Sequence, residues 1–336
     1  MAKFFDWKKI AVVFSLLFMA AYPLVHGNSY MMHLFIVFFL WAVVATNWNL
    51  LMGYAGIFSL GNIAFFIVGS YVSGIFAKNL GWSPWLCILL GGLGSMAAVT
   101  IFIGLPSLRL SGIYIALWSL VFASALPSVL TQTQSLTGGA RGLTDIPPLF
   151  EGITRVQSYY INFGFMLIIL FIVYKTIHSS AGLAFVALRD SKEFAKALGV
   201  NEYKEKLKIF ALVSFLTGIA GGFYAHYLGD ISPGTLGIGP FLLAIAMIEL
   251  GGVGRFPGAV LGALVIVFVN ESLRLSGPLR LTVLGGLICA IVLLFPGGLM
   301  QFVDWIDGRI ARIFKKDVPL QSGKTTSGKI AETETI

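Results

Sequence analysis

The sequence predicts an all-α fold: a polytopic membrane protein with about ten transmembrane helices, some of them broken or short. Three observations carry that expectation. Charged residues make up 11% of the 336-residue chain, where soluble domains carry about 25%. Hydrophobic residues make up 57%, and mean hydropathy is +0.88. The charges are also absent in blocks, leaving uncharged runs at 10–77, 79–108, 110–140, 156–174, 209–229, 231–248 and 281–303. A transmembrane barrel would instead alternate apolar and polar positions in segments of about ten residues, and no stretch of the chain does.

A helix crosses about 30 Å of hydrocarbon with roughly 20 apolar residues, so the run 10–77 has room for three crossings. Breaks at Gly, Pro and charged residues then set spans near 10–25, 31–52, 57–77, 85–105, 112–130, 158–175, 208–228, 238–253, 257–273 and 280–296. The first follows Lys8 and Lys9, as a signal peptide would, but Met19 to Gly27 offers no small-x-small cleavage site, so it reads as a retained span. Cys87 and Cys289 both fall in apolar spans and read as small buried hydrophobes.

Orientation follows from Lys and Arg, which accumulate on the cytoplasmic side of short loops. Ten crossings with the N-terminus inside put 18 of the 23 basic residues inside and leave Lys78, Arg141, Arg155, Arg274 and Arg280 outside. Both termini are then cytoplasmic, and the net charge of +8 is explained by topology without nucleic acid. The expected organisation is a transmembrane domain over 1–308, with a cytoplasmic loop at 176–207, and a cytoplasmic tail over 309–336. From Gln321 the tail is rich in Ser, Thr, Gly, Lys and Glu and reads as disordered.

Two loops are long enough to have roles of their own. The outer one, about 131–157, is polar and carries Thr137, Gly138, Gly139, Ala140, Arg141 and Gly142. In the inner one, Asp190 reads as an N-cap with Glu193 three residues on, and Gly199 as the left-handed residue closing the helix. Phe194, Ala197 and Leu198 then share one face. Such a helix either lies on the lipid surface or inserts its apolar face into a soluble partner.

The stretch Glu193, Phe194, Ala195, Lys196, Ala197, Leu198, Gly199 resembles the Glu-Ala-Ala-x-x-x-Gly loop by which permease subunits of bacterial ABC importers contact their ATPases. Phe194 departs from the first Ala of that motif, and Ala211-Leu212 from its Leu-Pro. Asn49 to Tyr71 (NLLMGYAGIFSLGNIAFFIVGSY) resembles LivM-type permeases of branched-chain amino-acid ABC transporters and their urea and amide relatives. Similar correspondence occurs at Leu108–Phe122, Thr137–Leu143, Arg189–Asn201, Ile231–Pro233 and Gly251–Ala263. The resemblance implies a second homologous permease, two cytoplasmic ATPase subunits that bind the ATP, and an extracytoplasmic solute-binding protein, with no cofactor on this chain. It assigns ATPase coupling to Asp190, Glu193, Phe194, Ala195, Ala197, Leu198 and Gly199. It assigns binding-protein docking to Thr137, Gly138, Gly139 and Arg141. It also implies a bacterial inner-membrane location.

Gly53, Gly56 and Gly61 weaken a helix at a place without charge. Backbone freed there lines an aqueous pathway or forms a tight turn packed in protein, because lipid cannot satisfy it. Gly251, Gly252 and Gly254 make a second break after a short apolar segment. The Gly91 and Gly218 clusters read as close helix packing. The candidate translocation path is Asn47, Gly53, Gly56, Asn62, Glu249 and Gly251. Asn47, Asn49 and Asn62 either bond a passing solute or cap the broken helix. Glu249, the acidic residue within an apolar span, faces the path or reaches the inner interface beside Arg255. Glu271 and Arg274 read as a surface pair, and His226 as an interface or packing residue.

Enzymatic chemistry finds no support. Gly323-Lys324-Thr325 lacks the Walker glycine, since Val318 stands in its place, and neither HExxH nor CxxC occurs. The expectation is a permease subunit of an ABC importer for branched-chain amino acids, with urea or a short amide as the alternative cargo. A stand-alone secondary carrier or channel is the competing class, and an intramembrane enzyme trails it.

Overall fold

A computed structural model of the chain describes residues 7–25, 27–273, isolated positions between 282 and 293, and 297–301. The described residues form thirteen α-helices. They are α1 (Trp7–Val25), α2 (Ser29–Asn49), α3 (Asn62–Leu80), α4 (Pro84–Val99), α5 (Leu105–Ser107), α6 (Ile113–Gln132), α7 (Gln134–Thr137), α8 (Arg155–Ile177), α9 (Ser180–Asp190), α10 (Lys192–Ala197), α11 (Glu202–Leu228), α12 (Ile238–Gly251) and α13 (Gly258–Ser272). Two π turns, Leu50–Tyr54 and Thr100–Gly104, extend α2 and join α4 to α5. Six continuous helical stretches are long and apolar enough to cross a bilayer: Ser29–Tyr54, Asn62–Leu80, Pro84–Ser107, Ile113–Gln132, Arg155–Ile177 and Glu202–Leu228. With the shorter apolar helices α1, α12 and α13, the chain is an all-α polytopic membrane protein. Of the expected span 280–296 only isolated positions are among the described residues, and Arg274, Arg280 and the tail 309–336 lie outside them.

Local chemistry sets the helix ends. Asn28 Oδ1 accepts from the amide of Tyr30 at 3.0 Å and starts α2. Thr154 and Gln157 form a capping box on α8. Left-handed Gly81 and Gly229 close α3 and α11. The expected boundary of α11 at 208 moves back to Glu202. Asn201 Oδ1 caps the Lys204 amide at 3.1 Å, and Glu202–Lys206 and Glu205–Lys208 pair along the helix surface. The segment 176–207 therefore consists largely of helix, including α9, which the pattern of charges does not predict.

α2 is apolar all round and so occupies the centre, packed by α8, α13, α11 and α12. Phe38, Phe39, Trp48, Leu50 and Leu51 on it are fully buried. α3, α4 and α11 form a second group in which glycines bring backbones together. A Cβ on Gly69 would lie 2.2 Å from Gly218 O, and one on Gly91 2.6 Å from Gly69 O, so these glycines serve close packing as expected. Ser70 and Ser95 tie the same helices by donating to Gly221 O and Phe65 O at 2.9 and 2.8 Å. Both cysteines are free thiols: Cys87 is buried as expected, whereas Cys289 is exposed.

The connections gather at two ends. One end brings the segment after α2, the start of α6, α9, α10 and the α12–α13 turn together. The other joins Ser29 to Arg155, Lys78 to Thr144 and Leu143 to Ile231.

Candidate functional site

The two glycine breaks meet. Asn49, in the last turn of α2, accepts the Gly254 amide on Oδ1 at 2.8 Å and donates from Nδ2 to Arg255 O at 3.2 Å. Its side chain thus satisfies a donor and an acceptor that the turn between α12 and α13 leaves without helical partners. Gly53 permits the approach, because a Cβ there would stand 2.2 Å from Gly254 N. Gly254 itself needs the left-handed backbone (φ 71°). Gly251 lies against Gly258, where a Cβ would be 2.2 Å from the carbonyl oxygen, so α12 and α13 form a tight hairpin. An added Cβ on Gly53, Gly56 or Gly251 would in each case meet protein atoms at 2.5 Å or less.

Arg189, in the last turn of α9, joins this cluster to the segment between α8 and α11. Its Nη1 donates to Gly53 O at 2.7 Å, and its stem lies over Gly56 so closely that a Cβ on that glycine would be 2.5 Å from Arg189 Cγ. Gly56, Arg189, Lys192, Glu202 and Lys206 line a cleft of about 110 Å³ between these elements.

Capping of α10 corrects the sequence expectation for Asp190. That residue is the last of α9, and its carboxylate pairs with Arg189 Nε at 2.9 Å. The chain turns extended one residue later, at Ser191 (φ −155°, ψ 104°), whose Oγ accepts from Phe194 N at 3.4 Å. Glu193 consequently falls in the first turn without a capping-box role, with Lys196 Nζ 3.8 Å away. The helix has six residues. Gly199 is left-handed (φ 86°) as predicted, and its amide donates to Lys196 O at 2.9 Å. Ala195 is fully buried, while Phe194 and Leu198 are 64% and 68% exposed and Ala197 is exposed beside them. Lys196 reaches Glu202 Oε2 at 2.9 Å, and Lys206 holds the other oxygen at 2.7 Å. The hydrogen bond to Glu202 pushes the Lys196 ammonium above the ordinary lysine value. The helix is therefore tied to α11 on one side and presents an apolar face on the other.

Asn47 and Asn62 are fully buried, and neither side-chain amide has a hydrogen-bond partner among the described residues. Glu249 is partly buried near the end of α12. Between α6 and α8, Thr137 is buried and donates to Thr133 O at 2.8 Å, and Gly138 and Gly139 take left-handed turns. Arg141 is exposed at the surface of that turn. His226 is a packing residue as expected, with Nδ1 on Pro147 O at 2.7 Å and Nε2 on Ser73 Oγ at 2.9 Å. Glu271 accepts from the Tyr30 hydroxyl at 2.5 Å, and Arg274, its expected partner, lies outside the described residues.

Sequence reasoning missed Arg189 and the reach of Asn49 to the second break. Their partners stand 136 and 205 residues away, and a local pattern carries no signal of them.

Residues 30–295 match the family described as branched-chain amino acid transport system / permease component. The chain is 26% identical over 288 residues to the high-affinity branched-chain amino acid transport system permease protein LivM of Salmonella typhimurium, covering 78% of this chain and 68% of that protein. It is 25% identical to LivH of Escherichia coli K12, covering 77% and 91%. The fructose import permease protein FrcC of Rhizobium meliloti is 24% identical over 229 residues, covering 64% and 62%. No solved structure matches the chain. A family match that spans the helical bundle, both glycine breaks and the α9–α10 segment makes this chain a member of the branched-chain amino acid permease family, a non-catalytic membrane component of an ABC-type transport system.

Proposed function

We propose that this chain is one of two membrane-spanning subunits of an ATP-driven importer of a small polar solute, a branched-chain amino acid in the first place. The partners are a homologous second permease, two cytoplasmic ATPase subunits and an extracytoplasmic solute-binding protein. The permease crosses a bacterial inner membrane ten times with both termini in the cytoplasm, in keeping with the placement of 18 of 23 basic residues.

The observation that carries this reading is the exposed apolar face of α10, Phe194 and Leu198, on a helix held to α11 by Lys196 and Glu202. A free carrier has no use for such a face, whereas an ATPase groove has. Movement of α10 passes through α9 and Arg189 to Gly53, and from there through Asn49 to Gly254. In this scheme Gly53, Gly56 and Gly251 form the inner gate, and Asn47, Asn62 and Glu249 offer polar atoms to the path. Arg141 and the turn built by Thr137, Gly138 and Gly139 meet the binding protein. The names of LivM and LivH support branched-chain amino acids over urea or amides, and the likeness to a fructose permease makes sugars the control cargo.

Co-purification tests the coupling face. The ATPase subunits from the same transporter should follow the wild-type chain through an affinity column and be lost with Phe194→Asp, while membrane insertion is unchanged. Normal recovery of the ATPases with that variant would refute the assignment.

A further inference from the structure

At the end of the bundle opposite α10, a cavity of about 330 Å³ opens between α2, α8, α11 and the segment before α8, a size typical of small-molecule sites. Its polar lining is unusual for an apolar chain: His33, Arg155, Ser158, Asn162, His226 and Tyr227. Asn162 is fully buried; its Nδ2 donates to Ser158 O at 2.8 Å, but its Oδ1 has no partner among the described residues. A buried carbonyl oxygen left in that state is an acceptor waiting for a donor. Arg155 gives one N–H to Ser29 O at 3.0 Å, and its guanidinium carries four more. The Tyr227 hydroxyl and His33 Nδ1 share a hydrogen bond of 2.7 Å. His226 is committed to Ser73 and Pro147 and acts as wall. Leu149 and Ile153 supply apolar surface, and among the described residues no carboxylate lines the cavity.

The geometry points to a binding subsite for a free amino-acid zwitterion, with the carboxylate received by Arg155, the ammonium by Asn162 Oδ1 and an aliphatic side chain against Leu149 and Ile153. The Tyr227–His33 pair completes the polar ring. A fixed cation together with an unpaired acceptor suits a zwitterion better than urea, which brings no charge for Arg155. The subsite rests on the reading of the chain as an amino-acid importer subunit. It adds a landing place for cargo within this one subunit, at the face that receives the binding protein.

The full chain in lipid nanodiscs, titrated with radiolabelled L-leucine, tests it. Saturable binding is expected, competed by L-isoleucine but not by 4-methylpentanoate or isopentylamine, each of which lacks one charged group. Arg155→Gln and Asn162→Leu should each weaken binding at least tenfold, and Asn162→Leu should leave the melting temperature unchanged or raised, because it removes an unpaired acceptor. A structural asparagine would instead lower it. Arg155→Lys, which keeps the charge, should recover part of the affinity. No saturable binding, binding indifferent to both substitutions, or equal competition by 4-methylpentanoate or phosphatidylglycerol overturns the subsite. Leucine uptake by cells carrying the whole transporter separates the two readings. Uptake with an unchanged KM in Arg155→Gln sinks the subsite alone, whereas no leucine uptake by the wild type sinks the importer reading beneath it.

Discussion

Asn49 Oδ1 accepts the amide of Gly254 across 2.8 Å, so a side chain at the end of one helix closes the backbone break of a hairpin 205 residues later. The same Asn49 side chain donates from its Nδ2 to Arg255 O. Removing it leaves a donor and an acceptor of the turn unpaired, at a cost of about 1–3 kcal/mol. Asn49→Ala should lower thermal stability by that amount and depress transport. Asn49→Asp, which keeps the acceptor and loses the donor, should fall between wild type and Asn49→Ala in a melting assay.

Close approach rather than flexibility explains Gly53. Gly53→Val places carbon against the Gly254 backbone and forces the two breaks apart, an overpacking penalty of about 1–3 kcal/mol. Transport should drop at least tenfold. Gly164→Ala is the control: that glycine lies inside α8 with nothing within 4 Å of an added Cβ. It should leave transport intact and stabilise the helix by up to about 1 kcal/mol. Equal damage from both would show that the contact between the breaks is irrelevant.

On the proposed coupling route, Arg189 would separate attachment from transmission. Arg189→Gln loses the charged donor to Gly53 O while Phe194 and Leu198 remain exposed. ATPase co-purification should be normal and solute uptake strongly reduced. Loss of co-purification would instead mean that Arg189 holds α10 in shape.

The tie between α10 and α11 has a defined pH range. The pKa of Lys196 is raised by its hydrogen bond to Glu202, so its contribution is fully present below the ordinary lysine value of about 10.4. It is lost only as pH rises through the elevated value. A spin label at Leu198→Cys should therefore keep constant mobility from about pH 6 to 9, and Lys196→Met should loosen it throughout that range.

Charge patterning and hydropathy made the helical bundle legible, because a bilayer leaves few options for an uncharged run of twenty residues. Phe194, Leu198 and Gly199 were legible for the same kind of local reason: spacing on one helical face and a glycine at its end. The N-cap was missed by one residue. Asp190 and Ser191 both suit the role, and the choice fell to Ser191 once Arg189 engaged the aspartate. The glycine breaks were visible as breaks, but their union depends on Asn49 and Arg189 contacts across more than a hundred residues. The pairing of Asn162 with Arg155 is illegible for a similar reason, since only folding encloses them in one cavity with Tyr227.

The most direct test of the account is solute uptake into proteoliposomes containing this chain, measured with and without its permease partner, ATPases, binding protein and internal or external ATP as the orientation requires. Leucine should accumulate only with the complete set and hydrolysable ATP, whatever proton or sodium gradient is imposed. Accumulation by this chain alone, driven by an ion gradient, would contradict the importer reading.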